Sequence, residues 1–302
     1  MKFFSAIIFL PLISFSQFIT CKVADLNTKQ PLYYATICYG NPKKITFSDS
    51  LGNFFLQATI LNSIDSVQLA FIGFETISVS KQQCIEGNIF YLKRKTGELE
   101  EVLIKNCILY QNKEIDYRYE KIGSYWTCSP DYRGEFIGYY PNNASETGYI
   151  KEIELFAPSF PLIRQTFSIP LRLHWYEWDS VTQMPSKELT DTSILLYAHK
   201  HGRNKIALPE KHIYFSETGI VLGLEFLFPP AMEKEYLQLD PVKARDWINK
   251  NTWSFGMAED HAGYMTYSKS HLKSNSLIRL NLVSSNKLPL KPALNLLISV
   301  CK

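Results

Sequence analysis

Between residues 19 and 104 the chain is cut into apolar runs of three to six residues, each closed by turn-forming residues. Ile19–Val23 meets an Asp25-Asn27-Thr28 turn, and Tyr34–Tyr39 meets Gly40-Asn41-Pro42. Ile45–Phe47 and Phe54–Ala58 flank Asp49-Ser50-Leu51-Gly52; Ser66–Phe71 ends at Gly73, before Glu75–Val79 and Asn88–Leu92. Runs this short bury side chains only as strands, since a helix needs about 10–12 residues to show its period, and no such period is present. Short strands at this spacing with turn chemistry between them predict an antiparallel sandwich. Gly52 and Gly73 are the turn positions where a Cβ would strain the backbone.

The remainder predicts a second sandwich. Gly148–Phe156, Leu171–Trp178, Ser193–Ala198, His212–Phe215, Ile220–Phe228, Leu277–Val283 and Leu294–Val300 read as strands, with a Met184-Pro185 turn after the alternating Leu171–Trp178 run. One short helix is expected over Val242–Asn249, with Asp240 as N-cap, Pro241 in the first position and Trp247 able to dock. The expected fold class is therefore all-β, two sandwiches and one short helix. The expected divisions are residues 17–104, a linker or opening hairpin over 105–130, and a second sandwich over 131–302.

The first sixteen residues have another role. Met1 and Lys2 precede an apolar stretch from Phe3 to Phe15, too short to cross a bilayer, and Ser14 and Ser16 flank Phe15. That pattern predicts a secretory signal peptide over 1–16 with Gln17 as the mature start, and no membrane-spanning segment after cleavage. A lipoprotein signal at Cys21 is disfavoured because bulky Phe18 and Ile19 precede it. The six cysteines, Cys21, Cys38, Cys84, Cys107, Cys128 and Cys301, are widely spaced and fix no disulfide connectivity. Hydrophobic residues at 46% exclude a disordered chain, and a net charge of +3 without a basic block points away from nucleic acid.

Four ordered blocks carry a family resemblance. Ile19–Ile37 has an apolar strand, an acidic turn, Pro31-Leu32 and Ala35-Thr36-Ile37. Ser48–Leu56 has Asp49, Gly52 and Phe54; Asp65–Thr76 leads an apolar strand into Gly73-Phe74; Leu99–Ile104 closes the series. This pattern resembles the carboxypeptidase-regulatory-like domain, with Cys21 standing where that family has glycine. The resemblance implies a transthyretin-like sandwich that is not itself a peptidase, in a protein of the Gram-negative envelope. The strand order behind it is similar to uncharacterised β-sandwich modules that follow such domains, with a jelly-roll-like form expected.

Motifs for chemistry are sparse. His174 and Glu177 have the H-x-x-E spacing of zinc ligands, but residues three apart on a strand face opposite sides. His199 and His201 would share a face if their strand persisted, with His212 a third donor; a solvated hairpin end is the plainer reading. Glu259-Asp260-His261 reads as a charged loop. No G-x-S-x-G elbow, phosphate loop or H-E-x-x-H occurs. Trp175, Trp178 and Trp253, with Tyr176 and Trp247, offer flat aromatic faces that either fill the core or stack on a sugar or protein partner.

The expectation is a non-catalytic, exported protein that needs no cofactor and recognises a surface glycan or envelope protein, in the periplasm, on the outer membrane or outside the cell. The competing class is a metal-dependent hydrolase in the second sandwich, using His174, His199, His201 or His261.

Overall fold

The computed structural model describes residues 18–40, 44–95, 110–116, 122–126, 130, 134–143, 146–157, 169–190, 192–199, 201–208, 213–236, 238–252, 255–259, 266–270, 277–280, 290–292 and 294–301. The signal-peptide expectation, Trp253, His212 and His261 lie outside the described residues.

Seven strands form the first body: β1 (Phe18–Asp25), β2 (Thr36–Tyr39), β3 (Lys44–Phe47), β4 (Asn53–Gln57), β5 (Ser66–Ala70), β6 (Ile77–Ser80) and β7 (Ile89–Leu92). They make two sheets, ordered β4-β1-β7 and β3-β2-β5-β6. Val23, Phe54, Leu56, Ile37, Val67 and Leu69 bury between them. Local chemistry fixes the turns. Asp25 Oδ1 accepts from the N–H of Asn27 at 2.8 Å, and Asp49 Oδ1 from those of Leu51 and Asn53 at 2.9 and 2.8 Å. Gly52 closes the second of these at φ +78, where a Cβ would lie 2.4 Å from the Val23 carbonyl oxygen. Gly73 takes the same φ. A single helical turn, α1 (Ala58–Leu61), follows β4.

Two strands, β8 (Tyr110–Asp116) and β9 (Ile122–Trp126), lie where a linker or an opening hairpin was expected, β8 pairing with the strand over Leu294–Cys301 and β9 with that over Phe255–Glu259. The linker expectation is corrected: β8 is zipped to the C-terminal strand from Tyr110↔Cys301 to Asp116↔Asn295. Its polar sequence, Gln-Asn-Lys-Glu, suits an exposed edge and gives no apolar alternation to read.

The second body continues with β10 (Gly134–Tyr140), β11 (Gly148–Ala157), β12 (Leu171–Asp179), β13 (Met184–Glu188), β14 (Ile194–Leu196), β15 (Gly202–Ala207), β16 (Tyr214–Phe215) and β17 (Ile220–Phe226). Helices α2 (Pro230–Tyr236) and α3 (Pro241–Asn251) come next, then β18 (Phe255–Glu259), β19 (Thr266–Ser270), β20 (Leu277–Leu280), β21 (Leu290–Pro292) and β22 (Leu294–Cys301). The largest sheet runs β13-β12-β17-β10-β19-β20, with β14 also on β12. It faces a sheet ordered β15-β11-β22-β8, with β16 also on β11; β21-β18-β9 form a third. Leu171, Leu173, Trp175, Leu222 and Leu224 of the large sheet pack against Ile153, Leu155, Leu296 and Ile298 of its partner. The fold is all-β.

Among the described residues, three α-helices replace the single one expected. Asp240 caps α3 as its sequence predicts, accepting from the N–H groups of Val242 and Lys243 at 3.1 and 3.0 Å, and Trp247 is buried against Tyr236. The other two span at most two turns, too short to show a period. The Met184-Pro185 turn is also corrected. Asp179 draws in the N–H of Val181 at 2.8 Å and the Thr182 hydroxyl at 2.7 Å, so the chain reverses over residues 180–183. Met184 and Pro185 open β13, an edge strand on which proline is tolerated.

Candidate functional site

The face of the large sheet away from its core carries charge. On β12 the alternation places Arg172, His174, Tyr176 and Trp178 on that face and Leu171, Leu173 and Trp175 on the other. Antiparallel register sets Arg172 opposite Glu225, His174 opposite Gly223 and Tyr176 opposite Val221 on β17. β10 sets Glu135 opposite the same Glu225 from the far side. Three strands therefore bring two cations and two carboxylates into one patch, and Glu188 joins from β13.

Arg172 is 2% exposed, Glu225 2% and Glu135 0%. Burial this deep demands partners. Arg172 Nη1 donates to Glu225 Oε2 at 3.1 Å, Nε to Ser193 Oγ at 3.1 Å, and Nη2 to the backbone carbonyl of Tyr34 in the first body. His174 lies 3.0 Å through Nε2 from Glu225 Oε2 and 2.8 Å through Nδ1 from Glu188 Oε1. Both ring nitrogens thus face carboxylate oxygens, and only the doubly protonated ring can donate to both. Burial opposes that charge, but Glu135, Glu188 and Glu225 overcome it and push the His174 pKa up to about 10. The Tyr176 hydroxyl donates to Glu135 Oε2 at 2.8 Å; burial, and then the Glu135 charge, hold the phenol protonated far above its ordinary range.

Beside the charges the face turns aromatic. Tyr139 stacks on Trp178 with ring centroids 4.0 Å apart, over Ile137, Tyr176 and Val221. At the opposite end, Leu227 is buried with Tyr34, Ile45 and Phe47 of the first body, packed by Tyr33 and Leu195. Thr46 Oγ1 donates to Glu233 Oε2 on α2 at 2.8 Å. The charged patch therefore sits against the junction of the two sandwiches.

As an imidazolium, His174 is no base near neutral pH, and Tyr176 is held as a donor. Every cation of the patch is committed to a carboxylate. The arrangement locks strands together and ties the second body to the first.

The residues singled out from sequence are scattered. His174 is buried in this patch while Glu177 is exposed, so their spacing makes no ligand pair. β14 ends at Leu196 and β15 begins at Gly202, so the strand that would align His199 and His201 does not persist; both are exposed in the connection. Among the described residues no group of three or more His, Cys, Asp or Glu side chains is placed to hold a metal ion. Trp175 is 0% exposed in the core and Trp178 is on the other face, so the two do not make one aromatic surface. The sequence reading missed Arg172, Glu135 and Glu225. A signal existed: Glu225 is the lone charge in the run Ile220–Phe228, and a lone charge in a buried strand requires a partner.

No protein-family model matches this chain, and none of the curated proteins matches it. No helix among the described residues is long and apolar enough to cross a membrane.

Proposed function

We propose that this chain is a non-catalytic recognition or assembly module of the bacterial envelope, exported through its N-terminal leader. The observation that carries this reading is the closed charge patch. Arg172, His174, Tyr176 and Glu225 are buried and paired within the patch or to the first sandwich, which suits a rigid two-body scaffold. Loops and rims on such a scaffold do the binding. The resemblance of residues 19–104 to the carboxypeptidase-regulatory-like domain supports the envelope address, and the leader pattern supports export.

The test is a binding screen on the mature chain, residues 17–302, recovered from the periplasm of a Gram-negative host. Soluble envelope polysaccharides are offered in affinity electrophoresis and solubilised envelope proteins in a pull-down. Saturable binding of either class is the expected result. Binding of neither, or turnover of peptide or ester substrates that a chelator abolishes, overturns the reading in favour of a spacer or a metal-dependent hydrolase.

A further inference from the structure

A groove runs between the two sandwiches, beside the Arg172–Tyr34 contact. Its walls include Asp25, Gln30, Tyr33, Phe71 and Arg94 from the first body and Ser193 from the second. Its volume is about 440 Å³, within the ~300–1,000 Å³ common for small-ligand sites. A second cavity between the bodies, beside Phe18 and Lys234, has about 20 Å³ and admits little more than one water.

We propose that this groove binds a neutral saccharide. The proposal rests on the reading of the chain as a recognition module and names what it recognises. Tyr33 is half-buried and stacked on the buried ring of Tyr34, centroids 3.9 Å apart, so its ring is fixed before any ligand arrives. Phe71, also half-buried, packs on Phe74 at 5.5 Å. Fixed aromatic rings suit the C–H face of a sugar at low entropic cost.

The polar groups complete the match. Arg94 Nε donates to Asp25 Oδ2 at 3.1 Å, and the guanidinium lies 4.9 Å over the Phe74 ring. Its Nη groups, without a partner among the described residues, form a planar fork for neighbouring hydroxyls. Ser193 Oγ accepts from Arg172 Nε, which leaves the serine hydrogen to donate. The exposed Gln30 amide both donates and accepts. Sugar hydroxyls are donors and acceptors at once, and this lining offers both.

Charge narrows the class. Asp25 and Arg94 are the charged residues of the lining, and they cancel. A phosphate or polyuronate would meet no net positive field there. A lipid tail would meet five polar side chains in an open groove.

The test titrates maltohexaose, cellohexaose and chitohexaose, with polygalacturonate as the polyanion, into the full mature chain by calorimetry. Saturable binding of a neutral oligosaccharide is expected. Tyr33→Ala and Arg94→Ala should each weaken it about tenfold, equivalent to about 1.4 kcal/mol. Gln30→Ala, at an exposed position just after the turn over residues 26–28, should weaken it without moving the unfolding midpoint, so loss of binding is separable from loss of fold. Undiminished binding in all three variants, or preferential binding of polygalacturonate, removes the saccharide from this groove but leaves the recognition reading standing. No oligosaccharide bound by a chain that captures an envelope protein sinks the saccharide assignment alone; a chain that binds neither sinks both.

Discussion

Arg172 on β12 reaches out of its own sandwich and donates through Nη2 to the backbone carbonyl of Tyr34 in the other. Tyr34 is 1% exposed and sits at φ +60, a conformation that costs a non-glycine residue about 1–3 kcal/mol. Such strain persists where packing over-determines it, and here Tyr33, Phe47 and Arg172 surround the residue. The same guanidinium pairs with Glu225 within the sheet. One side chain thus couples the strand pairing of the second body to the seating of the first.

Arg172→Met should be among the most damaging single changes in the chain. It leaves Glu225 buried with one cation where it had two, and strips a donor from the Tyr34 carbonyl. Breaking a buried pair from one side costs about 3–5 kcal/mol, and removing both charges costs much less. Urea unfolding followed by tryptophan fluorescence should show Arg172→Met strongly destabilised and Arg172→Met with Glu225→Gln partly recovered. A single variant as stable as the parent would mean the pair holds nothing.

His174 gives the chain a pH signature with a defined sign. Its folded pKa of about 10 lies above the ordinary value of 6.5, so the folded state holds the proton more tightly than the unfolded chain does. The stability it contributes is complete below about pH 6.5 and drains away as pH rises toward 10. Unfolding midpoints measured from pH 6 upward should fall for the parent chain. His174→Gln should flatten that decline; an equally steep fall in the variant would assign it to other groups.

Period-2 patterning and turn residues made most of the first sandwich readable: Asp25, Asp49 and Gly52 act locally, within a few residues of themselves. Asp240 and Pro241 announced α3 for the same reason. The charged patch was half visible. Arg172, His174 and Tyr176 alternate in plain sight on β12, but their partners come from β10, β13 and β17, and only the register of the sheet brings them together. β8 escaped because its polar residues form an edge, and its pairing with β22 spans nearly the whole length of the second body. The groove between the sandwiches could not be read at all, since it depends on how two separately patterned bodies meet.

The thiols of the first sandwich should separate by burial. Burial, helped by neighbouring Cys84 and Glu86, pushes the Cys21 thiol up to about 12, and burial raises Cys84 as well. Both therefore present little thiolate, while Cys38 is only half-buried on β2. Iodoacetamide applied to the reduced native chain at pH 8 should modify Cys38 before Cys21 and Cys84, as read by peptide mass spectrometry. In urea the three should react alike. Early native labelling of Cys21 would contradict the packing of β1 against β4 and β7.

Gly223 holds the charged patch open for Glu135. It lies on β17 between His174 and Ile137 of the flanking strands, and a Cβ there would sit 1.6 Å from Glu135 Oε1 and 2.9 Å from its Cγ. Glu135 is fully buried and its other oxygen accepts from the Tyr176 hydroxyl, so moving the side chain aside would break that bond. Gly223→Ala, a change that otherwise favours a strand, should destabilise the chain by about 1–3 kcal/mol, the usual cost of overpacking a core. Shortening the obstacle with Glu135→Ala should restore part of that loss in the double variant, although Tyr176 then loses its acceptor. A double variant no more stable than Gly223→Ala alone would show that the clash is not with Glu135.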